Sequence, residues 1–419
     1  MTAADPAEET TPLARHRDFR LLLVGQTTSQ LGSQLAGVAL PLLAVVTLRA
    51  DAFQVGLINA ASMLAFAVIG LPAGVWVDRL RRRPLLIAAD LVRAALLATI
   101  PAFAALGSLA LWQLMAVSLL VGAARVFFDV GYRSYLPALI GPGQVLAGNS
   151  VLEFVRASGQ IVGPGLGGVL VAAWGAPWVI AVQAATFVIS AGCLLLIRTR
   201  EEGVRREAGA PSLGAQIRAG LAFVLGSPVL RATAVASGVS NVAFAVASAV
   251  NIIFMTRVLH LPQAAVGIVI AAGSATVMLG AALTPWLARR IGSARVAWWV
   301  LAVTTPLTIV GAFAFPGWGV ALIVLGIAAG EFGQIVFSIA NVSLRQTMCP
   351  PELLGRVNAT IQVLVMGLFP LGALVGGALG DWAGARATLI VSGLLLALAP
   401  VALRRGFGRA RDVAELPRA

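Results

Sequence analysis

The stretch G-Q-I-V-G-P-G-L-G-G, Gly159 to Gly168, lies inside a long apolar segment. Gly159, Gly163 and Gly167 recur every fourth residue, which places them on one helix face where a partner backbone can approach closely. Pro164 removes a backbone donor in the middle of that helix and bends it. A bent, closely packed spanning helix suits a part that rocks against its neighbour. Small residues at this spacing also serve ordinary helix contact. The Gly163-Pro164 and Gly167-Gly168 pairs set the stretch apart from that simpler pattern.

The surrounding chain is built for a membrane. Hydrophobic residues make up 59% of its 419 residues, charged residues 11%, and the mean hydropathy is +0.92. A water-soluble domain of that composition would expose large apolar patches. The apolar runs far exceed the roughly 10 residues of a barrel strand, so the spans are helices. Windows of about 20 apolar residues give twelve spans, from 19–48 to 386–403. Met1 to Asp18 lacks the basic region and short apolar core of a signal peptide, so the first span is expected to stay. Cys193 and Cys349 are too few for a disulfide framework, and His16 and His260 are isolated. No catalytic motif, phosphate-binding glycine loop with its lysine, metal cluster or cofactor site is evident, which argues against an enzyme or an ATP-driven pump.

The formal net charge of +13 arises without a single lysine. The arginines are dispersed among short loops, which argues against nucleic acid. In the twelve-span reading only Arg49, Arg257 and Arg386 fall on one side. The positive-inside rule then predicts that both termini are cytoplasmic, and the plasma membrane is the expected location.

An internal repeat divides the chain. Pro142, Asn149, Gly163, Gly167, Gly168 and Gly175-Ala176 match Pro351, Asn358, Gly372, Gly376, Gly377 and Gly384-Ala385, each 209 residues on. The expected organisation is a tail over 1–18, a six-helix half over 19–197, a linker over 198–227, a second half over 228–403 and a tail over 404–419. Within the linker, Leu213, Ile217, Leu221 and Val224 share one face of an interfacial helix.

Three motifs carry a family resemblance. The Gly159–Gly168 stretch is similar to the fifth-helix signature of major facilitator superfamily antiporters. G-V-W-V-D-R-L-R-R-R-P-L-L, Gly74 to Leu86, resembles the superfamily's loop signature through Gly74, Asp78, Arg79, Arg82, Arg83 and Leu86, with Arg81 where glycine is usual. P-E-L-L-G-R-V-N-A, Pro351 to Ala359, resembles the branch that includes macrolide and enterobactin exporters, and contributes Arg356. The resemblance implies an all-α membrane fold of two pseudo-symmetric six-helix halves. It also implies secondary active transport, with proton-coupled efflux of a hydrophobic drug-like or siderophore-like molecule as the leading expectation. The alternatives are an importer or facilitator of a small metabolite and, further off, a non-transporting receptor. A monomer in the lipid bilayer is expected, with small-molecule substrate and protons as its partners. For Asp78 the resemblance implies a latch against the start of span eleven, where the helix dipole is positive. The corresponding second-half position is Ala288, so the latch is asymmetric. A simpler reading makes Arg81, Arg83 and Arg356 positive-inside anchors.

Carboxylates at membrane depth are costly and so mark candidates. Asp90 and Glu153 each have an arginine three residues on, Arg93 and Arg156, which suits structural pairs. Glu331 lies midway along span ten with no basic residue nearby on its helix. It either takes and releases a proton in the cavity or pairs with Arg125 of span four; Asp90 and Glu153 are the next proton-coupling candidates. Asp129 is placed at the end of span four, in reach of the signature-loop arginines. The resemblance implies that spans one, four, seven and ten line the cavity. Gln26, Gln30, Gln34, Arg125, Phe128, Asn241, Phe244 and Gln334 are the lining candidates, and a mostly apolar wall is expected.

Overall fold

The computed structural model describes residues 13, 15–77, 80–141, 144–199 and 213–416, apart from side chains at 71, 72, 74, 75, 133, 134, 146, 213–217, 219, 351, 352, 354–356, 359, 363 and 364. Asp78 and Arg79 of the signature loop, residues 200–212 of the linker, and the side chain of Arg356 therefore lie outside the described residues.

No strand occurs among the described residues. The first half contains α1 (Arg17–Leu42), α2 (Ala52–Val77), α3 (Arg82–Ala105), α4 (Leu111–Ile140), α5 (Val145–Trp174) and α6 (Ala176–Leu196). The short α7 (Leu213–Gly226) leads into α8 (Pro228–Ile253), α9 (Gln263–Ile291), α10 (Arg295–Gly311), α11 (Val320–Met348), α12 (Pro351–Leu396) and α13 (Leu398–Phe407). Nine stretches among the described residues are long and apolar enough to cross a membrane. In α4 the helix runs on to Ile140, so Asp129 sits inside it rather than at its end. Hydropathy marks the apolar depth, whereas backbone hydrogen bonding carries a helix past that depth into polar sequence.

The repeat seen in sequence is also a repeat in backbone geometry. Gly175 ends α5 at φ 85°, and Gly384, 209 residues on, breaks α12 at φ 84°. A side chain disfavours this conformation, and it turns the chain sharply between two antiparallel helices. Two π-helical turns, Leu43–Thr47 after α1 and Phe254–Val258 after α8, also correspond, and each is followed by a residue at φ 54°, Arg49 and His260.

Helix packing explains the glycines. A Cβ on Gly167 would lie 2.9 Å from the Leu35 carbonyl oxygen of α1, and one on Gly168 2.7 Å from Gly267 Cα of α9. In the second half, Gly376 meets the Val246 carbonyl of α8 in the same way, while a Cβ on Gly377 would lie 2.8 Å from Phe53 Cα of α2. Each half thus presents one helix, α5 or α12, whose glycine face touches its own half and the other half at once.

The bundle has two unlike ends. At the end opposite the terminal end, where α1 begins at Arg17 and α13 stops at Phe407, one apolar cluster draws on both halves, joining Leu42, Val55 and Ile180 to Val250, Phe254 and Ile323. Toward the terminal end the core divides. Phe19, Leu86, Phe128 and Ile197 cluster within the first half, and Val224, Leu230, Phe337 and Leu403 within the second. The nine tryptophans occupy two levels. Trp112, Trp174, Trp178, Trp318 and Trp382 are exposed at helix ends on the far side, while Trp76, Trp286, Trp298 and Trp299 lie near the terminal side. Such belts mark the two membrane–water boundaries. Past α13 the chain returns to the α9–α10 loop, where Ser293 N and Oγ donate to Asp412. Those hydrogen bonds, led by the backbone one, hold the Asp412 carboxyl below its ordinary range.

Candidate functional site

A cavity of about 830 Å³ lies against the first half. Gln26, Gln30 and Gln34 of α1 line it, as the 3.6-residue helical period dictates for residues four apart. Asn59 and Ser62 of α2, Asn149 of α5 and Gln183 of α6 add further hydrogen-bonding groups. Leu40 and Pro41 line its far part, beside the apolar cluster that joins the halves.

The wall is more polar than the mostly apolar one expected. Arg93, Arg125, Asp129, Glu153 and Arg156 all reach it. Each charge is tolerable because its counter-charge sits about one helical turn away. On α4, Arg125 Nε lies 3.5 Å from Asp129 Oδ2. On α5, Arg156 Nε donates to Glu153 Oε2 at 2.8 Å. These two pairs are half-exposed. The third is not: Asp90, fully buried on α3, accepts from the Arg93 guanidinium. The Arg93 guanidinium carbon lies 4.3 Å from the Phe128 ring centroid and 4.2 Å from that of Phe187. Phe128 in turn stacks on Tyr132, with centroids 6.0 Å apart. A buried arginine held between two aromatic faces is a cation–π clamp, and it fixes a positive charge in the cavity wall.

Of the lining candidates, Gln26, Gln30, Gln34, Arg125 and Phe128 border this cavity. Asn241, Phe244 and Gln334 do not. Phe244 packs near Phe369, with centroids 6.3 Å apart, and Gln334 is exposed on α11. Glu331 is half-buried on α11 and faces Gly273 of α9. Among the described residues it makes no hydrogen bond or ion pair, and the partner seen for Arg125 is Asp129. Of the signature-loop arginines, Arg82 opens α3, while Arg83 Nε and Nη2 donate to the carbonyls of Leu194 and Leu195 at the end of α6.

In the fifth-helix motif the glycines differ. Gly163, Gly167 and Gly168 are in tight contact, whereas a Cβ on Gly159 would meet nothing nearer than Gln34 Cγ at 3.8 Å. Pro164 lies within a continuous α5, and its carbonyl oxygen faces Gly267 of α9.

Sequence reasoning missed the Arg93 clamp because its aromatic partners come from α4 and α6, far away in the chain. It also missed two contacts between the halves at the far end. Asp381 of α12 accepts from the backbone amides of Ala52 and Phe53 at the start of α2, at 2.9 and 3.1 Å. Arg257 Nη2 donates to the carbonyls of Val45 and Ala50, at 3.2 and 2.7 Å.

The sequence profile of the Major Facilitator Superfamily matches residues 22–368. The multidrug efflux pump Tap of Mycolicibacterium fortuitum is 30% identical over 414 residues, spanning 95% of this chain and 98% of its own. The enterobactin exporter EntS of Citrobacter koseri is 27% identical over 423 residues, spanning 97% and 95%. Among solved structures, the nucleoside transporter NupG superposes with a TM-score of 0.76 at 14% identity, covering 94% of this chain and all of that one. A bacterial homologue of the iron transporter ferroportin, in its inward-facing state, gives 0.71 at 17% identity, covering 95% and 100%. At such identities the likeness shows the fold alone. Two pseudo-symmetric halves of apolar spanning helices, with the profile matched over most of the chain, make this protein a multi-pass membrane transporter of the major facilitator superfamily.

Proposed function

We propose that this transporter exports a drug-like or siderophore-like small molecule by alternating access, driven by proton entry. In this reading the fold has twelve spans, the termini and the 198–227 linker face the cytoplasm, and the far end faces outward. The observation that carries it is the cavity of about 830 Å³, whose half-exposed charges and glutamines lie beneath an apolar seal shared by both halves. That is the arrangement of a carrier waiting to load from the cytoplasm. Phe128, Phe187 and Leu40 supply apolar surface for a substrate body, and Gln26, Gln30 and Arg93 supply hydrogen bonds that fix its orientation. The efflux names of Tap and EntS support the direction.

Glu331 is the proposed coupling carboxylate. Among the described residues it is a deep acid without a basic partner, so its charge depends on solvent access as the halves move. Glutamine in its place mimics the protonated form. Glu331→Gln is expected to bind and pass substrate downhill while losing accumulation driven by a proton gradient. Paired dye uptake into inverted vesicles, with and without an imposed pH difference, checks this. Equal stimulation of wild type and variant would move coupling to Asp90 or Glu153.

A further inference from the structure

The α1–α2 hairpin of the first half is held at the outer end by two charged side chains, both from the second half. We infer that Asp381 and Arg257 form an outer clamp that holds the carrier open to the cytoplasm and must release for the substrate to leave.

Helix termini make the clamp work. The first amides of α2 have no partners within their own helix. Gln54 N is capped locally by Asp51 Oδ1 at 2.7 Å, but the amides of Ala52 and Phe53 are each bound by one oxygen of Asp381. A carboxylate at that position also meets the positive end of the helix dipole. Arg257 does the converse. It reaches the carbonyl of Val45, in the π-helical turn that ends the α1 rod and where the negative end of the dipole favours a cation, and the carbonyl of Ala50 in the loop that follows. Anion on the amide end and cation on the carbonyl end grip one loop from both sides. Outward opening must exchange all four hydrogen bonds for water.

The grip is one-sided. Ala172 stands 209 residues before Asp381, and Val46 holds, in the π-helical turn after α1, the place that Arg257 holds in the turn after α8. The start of α9, which the repeat relates to α2, has no side-chain cap on its N-terminal residue Pro262. Between α5 and α9 the contact is glycine on backbone, with Gly168 against Gly267 and the Gln263 carbonyl. A smooth contact of that kind tolerates rocking with little change in hydrogen bonding, so α5 against α9 acts as the bearing. The charged contact across α2 and α12 acts as the catch.

The inference rests on the alternating-access reading, and one experiment separates the two. Spin labels are placed at Leu106→Cys and Trp318→Cys, exposed outer-end positions in opposite halves. A second pair goes at Leu80→Cys and Arg289→Cys, exposed positions at the terminal end. Both pairs are built after Cys193→Ser and Cys349→Ser, and distances are measured by double electron–electron resonance. Asp381→Asn and Arg257→Gln should each raise the population with a longer outer and a shorter inner distance about tenfold, equivalent to about 1.4 kcal/mol. Asp381→Glu should stay near wild type. If wild type shows this opposed motion on adding a transported dye while neither variant differs from it, the clamp is overturned and the transport reading stands. If the variants broaden outer and inner distances alike, the residues only support the fold and the clamp is again overturned. If the two distances never move in opposite senses in any protein, alternating access fails and the clamp fails with it.

Discussion

Asp90 and Arg93 show how a charged pair survives inside an apolar bundle. The two lie one turn apart on α3, the carboxylate is fully buried, and the guanidinium is enclosed by Phe128 and Phe187. Removing one partner of such a pair leaves an uncompensated buried charge at a cost of about 3–5 kcal/mol, whereas replacing both by apolar residues is often neutral. Asp90→Leu should therefore sharply lower the thermal unfolding midpoint in detergent, and Asp90→Leu combined with Arg93→Met should recover most of the loss. If the pair also orients substrate, the recovered double variant will be stable but slow, and transport assays on it separate the two roles. The pairing itself was legible in the i, i+3 spacing. The aromatic clamp was not, because residues 93, 128 and 187 meet only when three helices pack. Glu331 was likewise readable as an acid without a basic neighbour on its helix, but its position facing α9 depends on how α11 is rotated in the bundle.

The glycine-rich helix α5 illustrates what an element's sequence conveys about packing. Spacing by four predicts a shared face for Gly159, Gly163 and Gly167, and α5 does carry contacts to α1 on that face at Gly163 and Gly167. Spacing does not rank those contacts, and the backbone of the partner helix does. Gly168→Val should abolish transport and reduce the yield of folded protein, because Gly267 Cα and the Gln263 carbonyl leave no room for a side chain. Gly159→Ala should be nearly silent in both measurements, since its added methyl makes only ordinary contact. Equal damage from the two substitutions would mean that the motif acts through helix flexibility rather than close approach. The helix boundaries also differed from the hydropathy windows, most clearly in α4, because polar turns such as the one carrying Asp129 extend a helix without adding apolar signal.

At the scale of the whole molecule, the proposed orientation rests on arginine sidedness. Cysteines at Leu106 and Trp318, introduced singly into a background without Cys193 and Cys349, should react with an impermeant maleimide added outside intact cells. One at Leu225 on α7 should react only after lysis, and labelling of Leu225 from outside would overturn the orientation. The sequence by itself determined that the chain is helical and apolar enough for a membrane, and that its halves repeat 209 residues apart. Composition and period are properties of the chain, and they hold wherever each helix lies. Tertiary structure decided which face of each helix meets the cavity, so the wall proved charged where the residue count along the spans had suggested an apolar one. It also decided the outer contacts, since Asp381 and Ala52 are 329 positions apart in the chain. Neither residue carries a local signal, because a carboxylate at the end of one helix becomes a cap only when packing brings it to the bare amides of another.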